Sequence, residues 1–193
     1  VIFCKRRFLM DCNVFFLKIL LEPKKSFSDF VNSVLSLTLS PDAVKNHSDM
    51  KIVYTPLHGT GVNLVPRGLK QIGFRNIIHV PEQDVSDGDF PTVVSPNPEE
   101  PTAMKMALEK GKEVDADLVL GTDPDADRVA AAVKNDKGEL VLLTGNQTAS
   151  ILVNYMLTRW QQLGKLDGKQ YVVKTIVTTE LIKAICNKFN VKM

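Results

Sequence analysis

The chain has 193 residues, 44% of them hydrophobic, and sets 24 Lys and Arg against 22 Asp and Glu for a formal net charge of +2. That is enough apolar material to build a real core in one large or two small domains. The near balance of charge excludes a global field that would attract nucleic acid or an anionic membrane, so no partner of either kind is expected and any anionic ligand must be held by a local site.

The opening stretch, residues 1–21, is apolar, but Lys5, Arg6, Arg7, Asp11 and Lys18 cut it into runs far below the ~20 residues that a membrane span needs. It also starts without Met, and with this composition the expectation is a chain that begins inside a longer gene product or includes poorly related coding sequence, so no functional expectation rests on residues 1–25. Cys4, Cys12 and Cys186 are odd in number and scattered, with no Cys-x-x-Cys pair and no neighbouring His at metal spacing. A reduced, cytoplasmic setting is the default expectation.

Residues 26–48 carry a helical periodicity (Phe27, Phe30, Val31, Val34, Leu35) and a Ser-Pro-Asp start at 40–42 that can open a second short helix. From Lys51 the pattern turns to alternating strands and helices: a strand over 51–55, a helix over 64–72 and a strand over 76–80 make a βαβ unit. Residues 81–101 contain too many Pro and Asp for regular structure, and a connection of that length inside a compact domain is often functional. A helix over 102–112 follows, then a buried strand over 118–121 and strands over 129–133 and 140–143 joined by a turn at 135–138, which makes the sheet mixed. A long helix over 146–163, a strand over 171–176 and a helix over 179–189 begin a second α/β unit. The expected organisation is a helical or irregular segment over 1–48, an α/β domain over 49–143 and a partial α/β domain over 144–193, with the boundary near 143–145.

The segment richest in chemistry is Gly-Thr-Asp-Pro-Asp-Ala-Asp-Arg at 121–128, where a buried apolar strand ends in Gly121 and delivers Asp123, Asp125 and Asp127 at alternate positions. Three carboxylates on five residues repel one another and raise each other's pKa unless a cation neutralises them, and hard oxygen ligands suit Mg²⁺. The end of a sheet strand is also where open α/β folds bind ligands. Arg128 can grip a phosphate in two-pronged fashion beside the metal. The bland alternative is a solvated acidic turn whose Asp side chains cap backbone groups. An EF-hand calcium loop would need Gly at its sixth position and Glu at its twelfth, where this chain has Arg128 and Lys134. An aspartyl-nucleophile phosphatase would use Asp123 with a second Asp two residues on, as Asp125 is, but wants Thr or Val where Asp127 stands.

The 121–128 segment resembles the metal loop of the α-D-phosphohexomutases, the phosphoglucomutase and phosphomannomutase family. Tyr-Thr-Pro-Leu-His-Gly-Thr-Gly at 54–61, Val-Ser-Pro-Asn-Pro-Glu-Glu-Pro at 94–101 and Leu-Thr-Gly-Asn-Gln at 143–147 resemble segments of the same family in the same order, so the resemblance covers residues 49–193. It implies a three-layer α/β/α domain with a mixed sheet, the second of four domains, plus a truncated second α/β domain resembling the start of the third. It also implies an enzyme whose phosphoserine passes a phosphoryl group to a hexose monophosphate and takes back the other one, moving phosphate between C1 and C6 of glucose or mannose phosphates. Carried over, Asp123, Asp125 and Asp127 are Mg²⁺ ligands and Arg128 a phosphate or phosphoserine contact.

The family's phosphoserine sits in a Thr-Ala-Ser-His-Asn-Pro loop. The Thr-Ala-Ser here, at 148–150, runs into Ile151, Leu152 and Val153, which places Ser150 on a buried helix. Ser95, in Ser-Pro-Asn-Pro, lacks the following His and reads as structural. With the Gly-Glu-x-Ser sugar loop also missing, the chain is expected to be a fragment that is inactive alone. His58, in a Gly-flanked turn, either approaches substrate or bonds backbone groups, the second being the ordinary role of a turn histidine. Thr178 and Thr179 read as helix caps, and Lys174 as an exposed lysine. Two other functions compete: a Mg²⁺-dependent phosphatase with Asp123 as nucleophile, and a non-catalytic module that binds sugar phosphate without turning it over.

Overall fold

The computed structural model describes residues 2–3 and 23–193, so the charged apolar opening lies almost wholly outside the described residues, as do Cys4 and Cys12. In chain order the elements are β1 (Ile2–Phe3), α1 (Pro23–Leu35), α2 (Pro41–Asn46), β2 (Lys51–Thr55), α3 (Gly61–Ile72), β3 (Asn76–His79), a 3₁₀ turn at Pro81–Gln83, α4 (Lys105–Glu113), β4 (Leu118–Thr122), β5 (Val129–Lys134), β6 (Leu140–Leu142), α5 (Gly145–Gln162), β7 (Val172–Val173) and α6 (Leu181–Lys188). They gather into two compact units, one of Ser40–Gly145 and one of Val1–Leu39 with Asn146–Met193.

The Ser40–Gly145 unit is built on a five-stranded sheet of order β3-β2-β4-β5-β6. β2 pairs in parallel with both β3 and β4, whereas β4-β5 and β5-β6 are antiparallel, so the sheet is mixed as the hairpin pattern predicts. Interior strand β2 reads Lys-Ile-Val-Tyr-Thr and is buried from Ile52 onward on both faces, the usual state of a parallel strand covered by helices. Val53, Val119 and Ala132 pack with Met104 and Ala107 from the α4 side, while Tyr54 points the other way towards the start of α3, where Gly61 abuts its hydroxyl. The result is a three-layer α/β/α arrangement. The β5-β6 turn is fixed by Asn135, whose side-chain oxygen accepts the backbone N–H groups of Lys137 and Glu139, each at 2.9 Å, and by Gly138 at φ 79°.

Because β2, β3 and β4 run parallel, the segments that follow them leave the sheet at one edge. The turn after β2, the 3₁₀ turn after β3 and the carboxylate loop after β4 therefore meet there. α3 starts at Gly61 rather than at the predicted 64, and α4 at Lys105 rather than 102, because Glu100 accepts the N–H groups of Ala103 and Met104 and bends residues 102–104 into the core as a turn.

In the other unit, Val153 and Leu157 of α5 pack on Val172, Ile182, Cys186, Phe189 and Val191, and β7 pairs antiparallel with β1. The Arg159 guanidinium donates twice to the Leu39 carbonyl, at 2.8 and 3.1 Å. The strand expected over 171–176 is only Val172–Val173. Lys174, whose side chain is 8% exposed and not the exposed lysine expected, ends the strand: its Nζ donates to the Thr178 carbonyl at 3.0 Å and to Glu180 at 2.8 Å. Thr179 Oγ1 accepts the Leu181 N–H at 3.2 Å, but Thr179 stands one residue ahead of the N-cap of α6, which is Glu180 and makes no side-chain cap bond.

Candidate metal centre

β4 ends at Thr122 and β5 begins at Val129, and the six residues between them form the carboxylate loop. Ala126 sits in the left-handed region at φ 58° and donates its N–H to the Asp123 carbonyl at 3.0 Å, which folds the loop back on itself. This fold brings Asp123, Asp125 and Asp127 together, with one oxygen from each within 4.8 Å of the others. Asp125 and Asp127 are exposed, and Asp123 is buried at the base.

Arg128 closes the loop. Its backbone N–H donates to Asp123 Oδ1 at 2.9 Å and its Nε to Oδ2 at 2.8 Å, while Asp127 Oδ1 lies 3.6 Å from the same Nε. Burial raises the Asp123 carboxyl, but the two bonds from Arg128 outweigh it and hold the group below the ordinary carboxylate value. Asp127 is pushed the other way, by its contact with Asp123 and then by the charge of Asp125. Opposite shifts on two neighbouring carboxyls are the behaviour of crowded carboxylates that a bound cation would relieve. Three hard oxygens with like charge are a donor set that fits a divalent cation such as Mg²⁺.

Although the Asp123 side chain is 1% exposed, each of its oxygens accepts only one bond from Arg128, which leaves a lone pair on each that a cation can take.

His58 is 3% exposed and both ring nitrogens are occupied. Nδ1 lies 2.8 Å from the Val85 carbonyl, which can only accept, so this nitrogen carries the proton; Nε2 lies 2.8 Å from Thr92 Oγ1. Thr92 Oγ1 also accepts from Gln83 Nε2 at 3.1 Å, and Gln83 Oε1 accepts from Thr55 Oγ1 at 2.7 Å. His58 thus belongs to a buried chain of hydrogen bonds that knits the turn after β2 to the 81–101 loop. Gln83 and Thr92 carry no sequence signal for this role, since they reach His58 only through the parallel pairing of β2 with β3.

Neither serine decoy presents a free hydroxyl. Ser150 donates to the Asn146 carbonyl one turn back at 2.8 Å, and Ser95 to Glu100 at 3.1 Å within its own turn.

The chain is similar to known proteins. The family model described as phosphoglucomutase/phosphomannomutase, alpha/beta/alpha domain II, matches residues 27–138. A phosphoglucomutase of Staphylococcus aureus (strain N315) is 37% identical over 145 residues, 75% of this chain and 26% of that protein. One of Staphylococcus haemolyticus (strain JCSC1435) is 34% identical over 144 residues, again 75% and 26%. This chain accordingly spans about a quarter of the length of the curated relatives it matches. A solved structure described as a phosphomannomutase from Thermus thermophilus superposes with a TM-score of 0.57 at 19% identity, over 79% of this chain and 34% of that one, which supports the fold. The family match runs over more than half of the chain, and the chain belongs to the phosphoglucomutase/phosphomannomutase family, with residues 27–138 its α/β/α domain II.

Proposed function

We propose that this chain supplies the Mg²⁺ loop of a phosphohexomutase, an isomerase that moves phosphate between C1 and C6 of a hexose, with glucose 1-phosphate and glucose 6-phosphate or their mannose equivalents as substrates. The observation that carries the reading is the convergence of Asp123, Asp125 and Asp127 at the carboxyl end of β4. The names of the relatives, phosphoglucomutase and phosphomannomutase, support the substrate class.

In this reading Asp123, Asp125 and Asp127 hold the ion, which supplies positive charge against the transferring phosphoryl oxygens. Arg128 orients Asp123, and its guanidinium, 56% exposed, is open to a phosphate oxygen. His58 holds its turn and does not touch substrate. The phosphoryl donor is a serine outside this chain, because Ser95 and Ser150 are both committed to local bonds. The setting we infer is cytoplasmic, which the scattered cysteines favour; no helix among the described residues is long and apolar enough to cross a membrane.

Calorimetric titration of the chain with Mg²⁺, beside Asp125→Asn and beside a mutase assay on glucose 1-phosphate, tests this. Binding to the wild type that is lost in the variant, without turnover, is the expected result. No binding to the wild type would overturn the metal assignment, and turnover would overturn the external donor.

A further inference from the structure

The turn after β2 and the loop after β4 leave neighbouring parallel strands, and at that edge the turn grips a single residue of the loop. That residue is Pro124, which stands between the first two carboxylates. The Thr60 backbone N–H donates to the Pro124 carbonyl at 2.8 Å, and Thr60 Oγ1 donates to the same oxygen at 3.0 Å. Both lone pairs of that carbonyl are thereby taken, which fixes the plane of the peptide leading into Asp125. Gly59 presses on the same spot: a Cβ added there would overlap Pro124 Cα and lie 2.5 Å from its carbonyl oxygen and 2.7 Å from its carbonyl carbon. These are backbone atoms, so no side chain can turn aside to make room.

The gripping turn is itself held rigidly. Leu57 and His58 both lie in the left-handed region, at φ 47° and 64°, a conformation that is costly for residues with a side chain and persists only where the surroundings impose it. The surroundings here are the His58 N–H to the Gln83 carbonyl at 2.9 Å, the Asp87 N–H to the His58 carbonyl at 3.2 Å, and the two bonds of the imidazole. Backbone strain, a glycine against backbone, and a doubly bonded carbonyl all converge on the one proline between two candidate ligands.

We propose that Gly59 and Thr60, locked in place by His58, are positioning residues that set the separation of Asp123 and Asp125 by clamping Pro124. The proposal rests on the metal reading above. Outer groups that orient metal ligands commonly change affinity by about 10–100-fold when removed, without touching the ion.

The test compares Mg²⁺ affinity by calorimetry, and retained fold by circular dichroism and urea unfolding, for the wild-type chain, Thr60→Val, Thr60→Ser, Gly59→Ala and Asp125→Asn. Thr60→Val keeps the shape but removes the side-chain donor, and is expected to weaken binding about tenfold while the chain stays folded. Thr60→Ser restores the donor and is expected to restore affinity. Gly59→Ala drives a Cβ into the loop backbone and is expected to weaken binding further; should it fail to fold, the two Thr60 variants carry the test. A residue that served stability alone would move the unfolding midpoint and leave the affinity of the folded chain unchanged. Wild-type affinity in Thr60→Val, with binding abolished in Asp125→Asn, would overturn the clamp and leave the metal reading standing. No binding to the wild type would overturn both.

Discussion

Arg128 turns back onto Asp123 and engages both of its oxygens, the backbone N–H on Oδ1 and the guanidinium Nε on Oδ2. Burying a carboxylate this deeply is tolerable only with such partners. Arg128→Met keeps most of the stem and removes the charged donor. The unfolding free energy at pH 7 is expected to fall, by less than the loss of a fully buried charged bond because the guanidinium is 56% exposed. The sign of its pH dependence follows from the lowered Asp123 carboxyl. The bond stabilises the fold above the ordinary carboxylate value of 3.8 and is lost as pH falls through the depressed one, so wild type and variant converge in acid. Urea midpoints at pH 7 and pH 3 decide it: a gap that does not narrow in acid would refute this account.

Tyr54 gives a second pH signature at the alkaline end. Its side chain is fully buried on β2, and its hydroxyl lies 2.9 Å from Thr122 Oγ1 on β4. Burial pushes its pKa up to about 12, with Thr122 pulling down and the charge of Asp84 pushing up. An unfolded tyrosine releases its proton near pH 10, so the unfolded chain binds fewer protons than the folded one between pH 10 and about 12. Stability is therefore present below pH 10 and is lost as pH rises, by up to about 2–3 kcal/mol over that interval. Tyr54→Phe removes this loss, although it costs about 1 kcal/mol at neutral pH by leaving the Thr122 hydroxyl without its partner. Stability curves that stay parallel from pH 9 to 12 would contradict the assignment.

The strands of the sheet were legible because apolar runs and breakers mark them: 51–55, 76–80, 118–121 and 129–133 each fall within two residues of the observed elements. The hairpin was legible from Asn135 and Gly138, whose local chemistry fixes the turn. The three Asp residues were legible by spacing alone, since one loop carries them all. What sequence could not show depends on partners far along the chain. Thr60 meets Pro124 across 64 positions, and His58 meets Thr92 across 34. The run Tyr-Val-Val-Lys-Thr-Ile at 171–176 has strong strand propensity, yet Lys174 finds Thr178 and Glu180 and bends it into a turn. Here the competing bonds are local as well, four and six residues on, and they overrode the strand propensity of the run.

Gly111 poses a case in which local propensity and packing disagree in sign. It lies within α4, where replacing Gly by Ala ordinarily stabilises a helix by about 1 kcal/mol. Here a Cβ would lie 2.7 Å from Val119 Cγ2 and 2.8 Å from Leu140 Cδ1. Val119 is fully buried on central β4, and a β-branched side chain has little freedom at χ1, so α4 itself must lift from the sheet. Overpacking of this kind costs about 1–3 kcal/mol, which exceeds the propensity gain. Gly111→Ala is therefore expected to destabilise by roughly 1 kcal/mol net. The pair Gly111→Ala with Val119→Ala removes the nearer obstruction, leaving the Leu140 methyl, and is expected to cost less than the sum of the two single changes, because they share one space. Thermal or urea unfolding of the three variants measures the coupling. A stabilised Gly111→Ala, or strict additivity in the pair, would mean that α4 stands further from β4 than the close approach of its glycine indicates.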